Sequence, residues 1–340
     1  MIKYDDTLML DLAPKRFGKT VKKWLIFLVI MLIIAIYFYY LQIKKGLVVT
    51  NLNDYFSWGI YTSNFIFFVS ISFVGSLTGS FLRMANFHWR IPVVRITEII
   101  AIIALLMASI SIILDLGRPD RLLYMIRYGR IQSPIIWDVI IVASYMVMSI
   151  LMLYLSLIPD FAILKNFFYD KPRLRKVYTF LSIKWRAKKE QRKLRRSAIN
   201  IITSLIIPVS LLHQTSNGWL FATTYRVGWN SAVIGPYFIT GAILIGFAVI
   251  ITVMYSLCKL NRLEKYITPL HFNNMGVGLG VSAAAYLYFN FSIYFLPLYT
   301  STISQLKYTS SLFTGKYALL FWLVFIGISI LPTITLVLKK

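Results

Sequence analysis

Cysteine, histidine and acidic side chains are all scarce in this chain. Cys258 is the one cysteine among 340 residues, which excludes internal disulfides, a CxxC redox pair and a thiolate-held iron–sulfur cluster. The three histidines are His88, His213 and His271. A bis-histidine haem needs two facing each other, yet only His213 falls inside an apolar run. No metal, haem or iron–sulfur cluster is therefore expected here, and any such redox centre should belong to a partner. Charged residues amount to only 14% against 58% hydrophobic, a balance that excludes an ordinary soluble domain.

What the chain has in plenty is long apolar runs. Eight of them, Trp24–Leu41, Gly59–Phe81, Val94–Leu114, Ile135–Ile158, Ala198–Phe221, Ile234–Leu257, Val277–Phe295 and Tyr317–Leu338, have roughly the 20 residues that cross ~30 Å of hydrocarbon. The first is too long, and too far from the start, for a typical signal peptide, and no small-residue cleavage site follows it. The expected fold is an all-α polytopic membrane protein. Its simplest division is a segment 1–23, a four-helix bundle over 24–158, a basic linker over 159–197 and a second four-helix bundle over 198–340.

The net charge of +24 suggests nucleic acid until its distribution is read. With the N-terminus in the cytoplasm, 27 of the 36 lysines and arginines fall on the inner side, from Lys3, Lys15 and Arg16 through Lys165–Arg196 and Arg262 to Lys339–Lys340. That is the positive-inside pattern, and it predicts both termini in the cytoplasm of a prokaryotic cell membrane. The 159–197 stretch is expected to lie on anionic lipid, with nucleic acid excluded as a partner. Glycines and serines between Ser70 and Ser80 give the second run a small face for close helix packing.

Polar residues inside or beside these runs are the candidates for function, because charge near bilayer depth is expensive. Asp115-Leu-Gly-Arg118-Pro119 closes the third run. Asn64 lies about a turn into the second, Asp138 in the first turn of the fourth, His213 and Gln214 in the outer half of the fifth, and Arg226 in the loop beyond. Each has a plain reading: Asn64 as an interhelical bond, Asp138 as a first-turn acid favoured by the helix dipole, Asp115 with Arg118 as an ion pair, His213 as a satisfied interior histidine. Their convergence at one depth points instead to quinol chemistry, which needs hydrogen bonds to two ring oxygens and acceptors for two protons. Glu98, in the inner half of the third run, either pairs with Arg95 one turn earlier or marks a step of a proton path.

The segment DLGRPDRLLYMI (115–126) followed by SPIIWD (133–138) resembles the NrfD/polysulfide-reductase type of quinone-reactive membrane subunit. SLLHQTSNGWLFA (210–222) and RVGWNSAVIGPYFITGAILIGFA (226–248) are similar to the same family. Residues 58–98 look like subunits of alternative complex III. The resemblance implies a quinone site near the outer face, carried over onto Asp115, Arg118, Asp138 and His213. With the convergence above, Asp115, Asp138 and His213 are expected to handle protons and Asn64, Arg118, Gln214 and Arg226 to bind the ring. It also implies an iron–sulfur partner subunit, with a molybdopterin catalytic subunit beyond. One departure stands out: some relatives have a histidine in an Ile-Ser-His-Ala-Gly stretch where this chain reads Ile71-Ser72-Phe73-Val74-Gly75.

The expected function is electron exchange between the quinone pool and a partner's iron–sulfur cluster. Two rivals stay open. One is a non-catalytic anchor or proton-conducting subunit of such a complex, favoured by Phe73. The other is a secondary transporter, disfavoured because the runs lack paired Gly/Pro interruptions.

Overall fold

The structure is a computed structural model describing residues 18–52, 58–224, 226–261, 263–300 and 302–338. Lys3, Lys15, Arg16, Arg262, Lys339 and Lys340 lie outside the described residues. All regular structure among the described residues is helical. Eight helices are long and apolar enough to cross a membrane: Val21–Lys45, Ile60–Met84, Arg90–Asp115, Pro134–Phe167, Lys189–Ala222, Ile234–Leu260, Pro269–Tyr299 and Ala318–Leu338. They are called the first to eighth helices below. Their alternation brings residues 60, 115, 134 and 222 to one end, the Asp115 end, and 84, 90, 167 and 189 to the other, the basic end.

The second helix is the most enclosed, with 72% of its apolar window buried. Apolar side chains gain little by leaving lipid for protein, so close backbone approach and dispersion must hold these helices together. The small residues supply that approach. A Cβ on Gly75 would sit 2.8 Å from the Thr97 carbonyl oxygen of the third helix, and one on Gly246 of the sixth would overlap the Val74 side chain. Phe73 and Val74 are wholly buried in an apolar cluster with Val93, Ala242, Ile250 and Met254. Phe73, the departure noted above, is thus an apolar packing residue.

The helices do not fall into separate sets of four on either side of residues 159–197. The fifth packs on the fourth, the second and the sixth, and the second also packs on the third and sixth. The first helix instead buries none of its apolar window. It is pinned at the Asp115 end by Gln42, which donates to the Leu114 carbonyl (2.7 Å) and accepts from the Tyr61 hydroxyl (2.8 Å).

Nor is 159–197 a simple loop. The fourth and fifth helices run for 34 residues each, about 51 Å at 1.5 Å per residue, well beyond a ~30 Å core. Pro159 sits inside the fourth helix and cannot donate to the carbonyl four residues back. That carbonyl, Leu155 O, accepts from Arg195 Nη1 of the fifth helix at 3.1 Å. A short helix, Pro172–Leu181, folds back so that Tyr178 stacks on Phe168 at 5.5 Å and Tyr154 donates to the Leu181 carbonyl at 3.0 Å.

Candidate functional site

At the Asp115 end, the Asp115 carboxylate accepts a hydrogen bond from Thr62 Oγ1 at 2.9 Å. Gly117 then takes a left-handed turn, φ +62°, packed on Leu47, and the chain reverses. The reversal carries Arg118 away from Asp115: its guanidinium pairs with Asp120 at 3.1 Å, and both are exposed. The expected Asp115–Arg118 ion pair is therefore replaced by Arg118–Asp120, whose hydrogen bond holds the Asp120 carboxyl below its ordinary range. Asn64 is exposed on the second helix. Arg226 lies over the Trp58 ring, 5.3 Å from its centroid, within an aromatic group formed by Trp58, Phe221 and Trp229.

Deeper in, a second set gathers around the fifth helix. His213 and Gln214 are 0% and 1% exposed. The His213 ring lies against Tyr145 of the fourth helix, centroids 5.6 Å apart. Asn217, one turn on, donates to the His213 carbonyl at 3.0 Å. Ser216 lies beside the Asp138 carboxyl group. Gln214 Nε2 reaches the Phe238 carbonyl at 3.4 Å. Both His213 ring nitrogens, Asp138 Oδ1 and Gln214 Oε1 are buried without a hydrogen-bond partner. Buried polar groups normally find partners, and in hydrocarbon an unmet one costs several kcal/mol. Four such atoms in so short a span mark a place built for something polar.

The expected cluster is thereby sorted. His213 and Gln214 share this interior region, and Asp138 lies nearer the Asp115 end, four residues into the fourth helix. Asp115 stands above it, since His213 is nine residues inside Ala222, about 13 Å along the helix. Asn64 and Arg118 face outward. Tyr145 is the functional candidate that sequence reading overlooked: its hydroxyl donates to the Ser72 carbonyl (2.7 Å) and bonds Ser76 Oγ (2.8 Å) and Ser72 Oγ (3.1 Å). The signal was a tyrosine in the middle of an apolar helix opposite a serine-bearing face.

Toward the basic end, Glu98 is 5% exposed and bound by Arg83, through Nη2 at 2.5 Å and Nε at 3.1 Å, with Ser156 Oγ at 3.3 Å. Arg95 pairs instead with Asp160 at 3.0 Å. The expected Arg95–Glu98 pair gives way because neighbouring helices offer each residue a closer partner. Glu98 Oε2 has no partner. A small cavity lined by Glu98, Ser76, Ser80 and Ser149 adjoins it. Ser76 also bonds Tyr145, so polar groups run from Glu98 through the cavity to Tyr145 and His213.

His271 has a local structural task. Its Nδ1 accepts from the Thr268 backbone N–H at 3.0 Å, closing a capping box at the start of the seventh helix. Among the described residues no three of His, Cys, Asp and Glu come together as a metal site.

Membrane-length helices around a buried polar centre define a multi-pass membrane subunit rather than a soluble catalyst. The sequence matches the family described as Polysulphide reductase, NrfD over residues 48–340, and the chain belongs to that family. It is 26% identical over 251 residues to a putative dimethyl sulfoxide reductase membrane subunit of Halobacterium salinarum, covering 73% of this chain and 54% of that protein. It is also similar to a selenate reductase subunit of Mesobacillus selenatarsenatis, 21% identical over 130 residues, 38% of this chain and 30% of the other. The chain thus spans about half, or less, of the length of these curated relatives.

Proposed function

We propose that this chain is the quinone-reactive membrane subunit of a respiratory oxidoreductase, with its site at His213, Asp138 and Gln214. The carrying observation is the group of buried, unpartnered atoms on these three residues. A quinol supplies two electrons and two protons as it is oxidised to quinone. The neutral imidazole of His213 accepts one proton and the Asp138 carboxylate the other, while the Gln214 side-chain amide donates its second N–H to a ring oxygen. Electrons pass to an iron–sulfur partner docked at the Asp115 end, where exposed Arg118 and Asp120 and half-buried Arg226 are placed to meet it; a molybdopterin subunit lies beyond. The relatives' names, reductase membrane subunit and reductase subunit, support such an assembly. Asn64 and Asp115 lie outside this three-residue site in this reading.

Protons leave along Tyr145, Ser76, the serine-lined cavity and Glu98. The basic asymmetry supports a cell-membrane orientation with both termini in the cytoplasm, which makes the Asp115 end extracytoplasmic. An anchor without turnover is favoured by one observation, the apolar burial of Phe73. Quinol-dependent electron transfer in the complex purified in mild detergent tests the choice. His213→Ala should lower turnover while leaving the subunits assembled; unchanged turnover would overturn a site at His213.

A further inference from the structure

The C-terminal half holds a second polar centre that the proposed site does not use. Tyr237 of the sixth helix and Tyr286 of the seventh stack with ring centroids 4.9 Å apart and join hydroxyls at 2.7 Å. Tyr294 lies beside this pair and lines the same space. Asn290, 4% exposed, donates to the Tyr286 carbonyl at 2.9 Å and to Ser329 Oγ of the eighth helix at 3.3 Å. These groups form one wall of a cavity of about 260 Å³ whose other walls include Phe321, Phe325 and Leu320. An apolar cavity of ~150 Å³ already accepts benzene, so this one has room for a substituted ring.

Three features define its occupant. The first is charge: none of the lining residues is ionised at neutral pH, so nothing here balances a phosphate or an ammonium. The second is the walls, aromatic faces that suit a flat ring, with tyrosine hydroxyls that donate or accept as a ring oxygen requires. The third is the mouth, where Tyr317 and Leu320 are 60% and 65% exposed at and on a membrane-spanning helix, so entry is from lipid. Both helices that close the cavity depart from α-geometry beside it, with π-turns at Phe291–Phe295 and Phe325–Ile330. Such turns are rare and concentrate at functional sites.

We infer that this cavity is a second lipid site, taking a neutral lipid whose head is an oxygen-bearing ring of the quinone class. It offers no carboxylate or imidazole to take a proton, so it holds that ring without turning it over. The occupant fastens the seventh and eighth helices to the sixth.

The test uses the full chain in nanodiscs and a photoreactive azidobenzoquinone with a short isoprenoid tail, its labelled peptides mapped by mass. Label within Tyr286–Tyr294 or Tyr317–Ser329, displaced by decylubiquinone, is expected. Tyr286→Phe, which keeps the ring and removes the hydroxyl, should cut that label about tenfold, the scale of one lost hydrogen bond. Ser329→Phe should fill the cavity and abolish it; should this variant misfold, Tyr286→Phe alone decides. Absence of label, equal displacement by phosphatidylglycerol, or label unchanged in a folded variant would overturn the inference. His213→Ala should leave this label intact, so failure of the first site and of the second are read separately.

Discussion

Tyr145 and His213 lie ring against ring between the fourth and fifth helices, both fully buried, yet only one of them is tied down. Three bonds to Ser72 and Ser76 fix the phenol to the second helix. The imidazole keeps both nitrogens unpartnered.

Tyr145→Phe separates packing from proton handling. The ring remains, the hydroxyl is lost, and the serine groups on the second helix lose a partner. Folding stability should fall by about 1–3 kcal/mol and quinol-dependent turnover by at least ~10-fold. Thermal unfolding and turnover of the purified complex, measured together, check both.

His213→Ala and Asp138→Asn should each lower turnover by about 10²-fold, the usual scale for a lost proton acceptor. His88→Ala should leave it nearly unchanged. His271→Ala should cost about 1 kcal/mol through the lost cap with little effect on turnover. Turnover lost in His271→Ala but kept in His213→Ala would move the site to the basic end.

Glu98 and Arg83 should behave as a coupled pair. With the Glu98 side chain 4% exposed, Arg83→Met alone strands a buried carboxylate, at about 3–5 kcal/mol. Adding Glu98→Gln should restore most of that stability. Proton release in proteoliposomes should stay impaired in the double variant, because the step at Glu98 is gone. Recovery of both stability and proton release would remove Glu98 from the path.

Tyr308, on the short helix Ile303–Phe313 outside the spans, has its hydroxyl pushed up to about 12 by burial and then by Tyr294. An acid whose folded value is raised holds its proton more tightly when folded. Its stabilisation is full below the unfolded value of 10.0 and is lost as pH rises toward 12. Denaturation midpoints between pH 9 and about 12 should fall more steeply in the parent than in Tyr308→Phe.

The membrane spans could be read from sequence because hydropathy is summed over a whole window of helical turns and needs no tertiary information. Their ends could not: residues 159–167 and 189–197 carry charge but remain good helix formers, so the fourth and fifth helices continue past the apolar boundary. Depth along a helix was also legible, which is why Asp138, His213 and Gln214 were assigned to the Asp115 end of their helices. Azimuth was not. Thr62 and Phe65 turn toward the third helix and the core, and a step of 100° between residues then swings Asn64 outward. Arg118 depended on the turn at Gly117, a backbone reversal that hydropathy does not register. Tyr145 was missed because an aromatic residue in an apolar run reads as packing.

The first helix has a consequence for biogenesis. It has the highest mean hydropathy of the eight, 2.6, and buries none of that apolar window against the rest of the protein. Its backbone is satisfied within itself, so it can leave the translocon and settle in lipid before the other seven have been synthesised. The Gln42 latch then closes only once Tyr61 and Leu114 have arrived. A Gln42→Leu chain should therefore insert normally and fail late, with the first helix in place and crosslinking from it to the third reduced.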